Sequence, residues 1–96
     1  MTQLLTDAQV EEGLKRLPGW ELKDGEITRL YKFADFKAAL AFVNRVGELA
    51  EAADHHPDID IRYNKVRLTL STHSAGGLTE KDLRLAAQIG APENPT

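Results

Sequence analysis

Ile59-Asp60-Ile61-Arg62-Tyr63-Asn64-Lys65-Val66-Arg67-Leu68-Thr69-Leu70-Ser71 is the stretch whose reading decides the fold. Ile59, Ile61 and Tyr63 alternate with Asp60, Arg62 and Asn64, and Val66, Leu68 and Leu70 alternate with Arg67, Thr69 and Ser71. A period of two puts the apolar side chains on one face of an extended chain. The spacing therefore predicts two half-buried strands with a tight turn near Asn64-Lys65. Upstream, residues 20–23 and 27–33 form a second candidate pair around Asp24-Gly25. Asp-Gly suits a type I′ turn, which needs positive φ at both central positions. Two hairpins call for an antiparallel sheet with one wet face and one face packed on helices.

Three helices supply the cover. Thr6 and Gln9 have the spacing of a capping box, and Leu5 and Val10 that of a hydrophobic staple. Val10, Leu14 and Leu17 then share a face until Pro18-Gly19 ends the helix. Asp35 is a candidate cap for a long second helix. Its apolar residues Phe36, Ala39, Leu40, Val43, Val46, Ala50 and Ala53 recur at gaps of three and four. Pro57 disfavours helical geometry at His56, so this helix is expected to finish near Asp54 or His55. Gly76-Gly77 reads as a flexible connection. Thr79 caps the last helix, Leu83, Ala86 and Ala87 face inward, and Gly90 ends it. The expected architecture is α+β in the order α-β-β-α-β-β-α, with a four-stranded antiparallel sheet. One domain spans residues 1–96, with residues 91–96 a loose tail holding two prolines.

Composition narrows the function. A formal net charge of −3 without a basic run argues against a dedicated nucleic-acid module. The absence of cysteine excludes disulfides, thiolate metal sites and a cysteine nucleophile, and fits a reducing compartment. No basic-then-apolar leader opens the chain and no apolar run approaches the length of a bilayer span, so the expected location is the cytoplasm. A 96-residue chain buries a limited share of its surface, which favours a homo-oligomer.

The chemistry points to the three histidines, His55, His56 and His73. Imidazole exchanges protons near neutral pH, which suits general acid/base work. Each candidate also has a plain structural reading. Glu51, four residues before His55, shares a helix face with it, either to orient the ring or as a solvent-facing pair. The His-His pair also suits the negative end of a helix dipole. His73 alone reads as a loop residue. Thr79-x-x-Asp82 resembles a capping box, so Asp82 reads first as a helix stabiliser. Trp20 reads as core, and Ser71 and Thr72 as strand-end residues. No metal is expected, because adjacent histidines chelate poorly and the helical i, i+4 ligand pair is absent.

One constellation goes further. Glu51-x-x-x-His55-His56-Pro57, five residues, Tyr63, nine residues, His73, eight residues and Asp82 resembles the signature of the pterin-4a-carbinolamine dehydratases. That family is also known as the dimerisation cofactor of a hepatocyte homeodomain factor. Asp54-His55-His56-Pro57, Tyr63-Asn64-Lys65-Val66 and Leu70-Ser71-Thr72-His73 are similar to its most recognisable blocks. The likeness runs from the Thr6 helix through Gly19-Trp20 to about Ala87.

The resemblance implies subunits joined at strand edges into a homodimer or homotetramer. It implies removal of water from a 4a-hydroxy-tetrahydropterin, a small-molecule substrate, with no cofactor, nucleic acid or membrane. Carried over by position, His55 and His73 are the acid/base pair and His56 binds and orients the pterin. Glu51 and Asp54 tune the histidines, Pro57 and Asp82 belong with the pterin-binding set, Ser71 and Thr72 line the slot, and Trp20 sits near its mouth. Lys81 stands where the family often has Arg, which puts a peripheral contact in doubt. Two other readings carry weight: a regulatory protein that binds a transcription-factor partner through a helix face, and a role in molybdopterin metabolism.

Overall fold

The computed structural model describes residues 3–90. The expected tail at residues 91–96 lies outside them. Along the chain run α1 (Asp7–Leu14), β1 (Glu21–Lys23), β2 (Glu26–Lys32), α2 (Phe36–Ala53), β3 (Asp58–Arg62), β4 (Lys65–Leu70), a 3₁₀ turn (His73–Ala75) and α3 (Glu80–Ile89). The α+β order is the expected one, with a 3₁₀ turn added just before Gly76-Gly77.

Local chemistry accounts for the elements. At α1 the Gln9 amide donates to Thr6 Oγ1, and Gln9 Oε1 accepts from the Thr6 amide, so two orphan donors are satisfied. The helix stops at Leu14, before Pro18-Gly19, and the chain continues through i→i+3 bonds such as Leu17 N–H to Leu14 O. In the first hairpin Lys23 faces Glu26 across Asp24 and Gly25, whose φ values of 53° and 77° are both positive, as type I′ demands. In the second, Arg62 faces Lys65, so the turn residues are Tyr63 and Asn64, one earlier than expected.

The strands pair antiparallel in the order β1-β2-β4-β3, which puts the later strand of each hairpin at the centre. Ile27, Tyr31, Val66, Leu68 and Leu70 share the covered face and pack with Phe42, Val46, Leu85 and Ile89 from the helices. Val66, Leu68 and Leu70 are fully buried. Burying each leucine contributes about 1.5–3 kcal/mol. The opposite face carries Thr28, Leu30, Arg67 and Thr69 and is largely wet.

The edge strand β3 departs from its sequence pattern. Ile59 and Ile61 do face the helix side, opposite Leu68 and Val66, but Ile59 is 38% exposed. Tyr63 is not an inward strand residue: it sits in the turn with φ 54° and is 64% exposed. Alternation reports which face a side chain takes, and only the neighbouring elements decide whether that face is covered.

An aromatic cluster closes one end of the core. Tyr31 lies 4.5 Å from Phe42 and 6.4 Å from Trp20, the latter edge to face, and Arg29 sits over the Tyr31 ring. The Tyr31 hydroxyl donates to Gly90 O at 2.8 Å. Burial raises the Tyr31 pKa above 10.0, while the Arg29 charge pulls the other way. The unfolded chain therefore loses this proton first. This contribution to stability is complete below pH 10 and is lost as pH rises through the folded value. Tyr31→Phe is expected to cost about 1 kcal/mol at neutral pH and to flatten the alkaline loss, read from urea midpoints either side of that pH.

Candidate acid/base site

The end of α2 is built to separate two adjacent histidines. Asp54 takes a left-handed conformation, φ 51° and ψ 44°. Its amide donates to Glu51 O, and the His55 amide donates back to Ala50 O. This is the Schellman arrangement with Asp in the position usually held by Gly. Aspartate tolerates the left-handed region better than most residues, and Pro57 prevents the helix from resuming.

That break corrects one expectation. Glu51 does not partner His55; its Oε2 meets Nε2 of His56 on the exposed side. The i, i+4 relation holds only while the helix continues, and Asp54 ends it. His55 turns inward instead, 9% exposed, and its Nε2 lies 2.6 Å from Asp82 Oδ1.

Asp82 is wholly buried. Its Oδ2 accepts from the Thr79 amide at 2.9 Å and from the Thr72 hydroxyl at 2.8 Å. The first of these is half of the capping box at α3, so the helix-stabilising reading was correct and incomplete. One carboxylate caps α3, braces the chain leaving β4 and holds His55. With no exposed surface, it meets His55 and the two threonines and does not open to solvent. Thr72 likewise turns its hydroxyl away from solvent, being 3% exposed.

His73 opens the 3₁₀ turn directly after Thr72 and is exposed. No hydrogen bond among the described residues joins its ring to His55 or His56. The link is indirect: Thr72, its neighbour, is one hydrogen bond from Asp82, which is one from His55. A depression of about 500 Å³ lies beside His73, lined also by Ser71, Asp24, Glu26 and Gly77, and neither His55 nor His56 lines it. Two segments far apart in sequence thus meet at Asp82, with one histidine buried against it and another on the adjoining turn.

Other expected residues fall as follows. Ser71 is half-buried and its hydroxyl is 3.5 Å from Glu26. Pro57 is half-buried. The Asp54 side chain is exposed, and its structural part is the helix stop. Trp20 is 5% exposed and packs in the core. The Lys81 side chain is exposed while its amide donates to Thr79 Oγ1. Sequence reasoning took Thr79 only as a cap. Its hydroxyl also contacts that of Thr72 at 2.8 Å, and the Thr79-x-x-Asp82 spacing was the available signal.

Fold and site together define a small α+β domain carrying acid/base side chains where a helix end meets a strand end. A family model for pterin 4 alpha carbinolamine dehydratase matches residues 3–91. The chain belongs to that family, whose enzymes are hydro-lyases. A relative from Acidobacterium capsulatum is 62% identical over 87 residues, covering 91% of this chain and 95% of its own. One from Chloroflexus aurantiacus is 60% identical over 85 residues, covering 88% and 91%. Both are named, provisionally, as pterin-4-alpha-carbinolamine dehydratases. The crystal structure of a transcriptional coactivator/pterin dehydratase from Brucella melitensis superposes with a TM-score of 0.87 at 40% identity, covering 91% and 95%. A pterin dehydratase-like RuBisCO assembly factor of the alpha-carboxysome shares the fold, with a TM-score of 0.59 at 22% identity over 73% and 81%. No helix among the described residues is long and apolar enough to cross a membrane.

Proposed function

We propose that this chain dehydrates a 4a-hydroxy-tetrahydropterin to the quinonoid dihydropterin, in the cytoplasm, and so recycles the pterin used by aromatic amino acid hydroxylases. In that reaction the bond from C4a to the hydroxyl oxygen breaks and the N5 lone pair forms a C4a=N5 double bond. An acid protonates the departing hydroxyl, which leaves as water, and a base takes the N5 proton. His55 and His73 are the acid/base pair, and His56, held by Glu51, binds and orients the ring system. Asp82 acts through His55. The substrate supplies the electron pair, so the reading needs no cofactor or metal.

The observation that carries this reading is the buried His55–Asp82 contact, joined by one hydrogen bond to Thr72, the residue before His73, in a chain of this family. The deciding experiment is the decay of a freshly generated 4a-hydroxy-tetrahydropterin with wild-type protein and with histidine variants. Wild type accelerating the decay far above the spontaneous rate supports the reading. A wild-type rate equal to the spontaneous one rejects it.

A second copy of the chain is the proposed partner, joined along an edge strand. The exposed Ile59 and Tyr63 on and beside β3 favour this, because an apolar edge left open invites pairing. Sedimentation of the wild-type chain as a dimer or tetramer is expected, and Ile59→Lys is expected to shift it toward monomer. A wild-type monomer at micromolar concentration rejects the assembly. The Brucella protein is named a transcriptional coactivator as well as a pterin dehydratase, which supports a protein partner, bound through a helix face, as the alternative role.

A further inference from the structure

The hydrogen bonds around Asp82 have a direction, and following it identifies the nitrogen that His55 presents. The Lys81 amide donates to Thr79 Oγ1 at 3.2 Å, so that oxygen is an acceptor there. Thr79 Oγ1 and Thr72 Oγ1 are 2.8 Å apart, and Thr72 Oγ1 is 2.8 Å from Asp82 Oδ2. A hydroxyl has one proton. Thr72 gives its proton to the carboxylate, so the Thr79 hydroxyl must donate to Thr72. Asp82 Oδ2 is then served by two donors, the Thr72 hydroxyl and the Thr79 amide. Its Oδ1 faces Nε2 of His55 and, in a fully buried carboxylate, needs a donor from it.

We infer that Thr72 and Thr79 are positioning residues that hold His55 as the Nε2–H tautomer, leaving Nδ1 as the atom that takes and returns the proton. The relay runs one way, from the cap of α3 through two hydroxyls and a carboxylate to the imidazole. Nδ1 is not sealed. Among the described residues the buried side-chain nitrogen or oxygen that lacks a partner is Trp20 Nε1, while His55 keeps 9% of its surface open. His56 contrasts with this: its Nε2 partner, Glu51, is exposed and braced by nothing comparable.

The tautomer stands on hydrogen bonding alone; its use in proton transfer rests on the dehydratase reading. The test takes the full chain labelled with ¹⁵N-histidine, with His55 assigned by comparison with His55→Gln. Long-range ¹H–¹⁵N correlation is expected to show a protonated Nε2 and a bare Nδ1 in the neutral ring, with an Hε2 signal slow to exchange with solvent. Thr72→Val keeps the shape and removes the hydroxyl. It is expected to speed Hε2 exchange and lower kcat about five- to tenfold with KM unchanged, the effect of one hydrogen bond of orientation. Thr72→Ser restores both, which a packing effect would not. A neutral ring protonated on Nδ1 overturns the inference. So does Thr72→Val that folds but keeps wild-type Hε2 exchange. If wild type lacks dehydratase activity while His55 shows the protected Nε2–H, the functional reading fails and the tautomer assignment holds.

Discussion

His73→Ala is expected to lower the dehydration rate by about 10²–10⁴-fold, the usual worth of a positioned acid or base. Its folding stability is expected to stay within about 0.5 kcal/mol of wild type, as for surface substitutions away from special features. The asymmetry follows from where the ring sits. His73 opens a short 3₁₀ turn, is exposed, and its ring makes no hydrogen bond among the described residues. Removing it leaves no buried atom without a partner. His55→Ala should lower both quantities, because it strips the donor from Asp82 Oδ1 in a fully buried place. Chemical denaturation beside the decay assay separates the two effects. A His73→Ala protein as active as wild type would remove His73 from the acid/base pair.

Asp82→Ala is expected to cost about 3–5 kcal/mol, the lower part of what three buried donors left without an acceptor add up to. The substitution orphans the Thr79 amide, the Thr72 hydroxyl and the His55 ring nitrogen together. Buried donors left without acceptors each cost about 1–3 kcal/mol. Against a total stability of about 5–15 kcal/mol, this brings a small domain close to unfolding. Asp82→Asn retains one acceptor oxygen and should fall between the two. A urea midpoint for Asp82→Ala that differs from wild type by less than about 1 kcal/mol would show that the network is not a structural brace.

The two predictions separate the parts of the site that a linear reading reaches from those it does not. The motif from Glu51 to Asp82 singles out the histidines and the aspartate by their spacing, and the family model spans the stretch that holds them. Their pairing is not legible in it. A four-residue spacing put Glu51 with His55, whereas the left-handed Asp54 hands Glu51 to His56 and turns His55 toward Asp82, 27 residues on. Trp20 packs in the core, as its size and apolar ring favour.

What this sequence determined unaided is local. Asp24-Gly25 makes its turn because those two residues accept positive φ. The apolar stripe of α2 and the caps at Thr6, Asp35 and Thr79 mark the helices, because each depends only on residues within a turn or two. The β1-β2-β4-β3 order, the open flank of β3 and the meeting of His55 with Asp82 and Thr72 belong to the tertiary structure. Those depend on which surfaces the packed helices cover and on one residue leaving the helix left-handed, and no short-range periodicity encodes the distances that result.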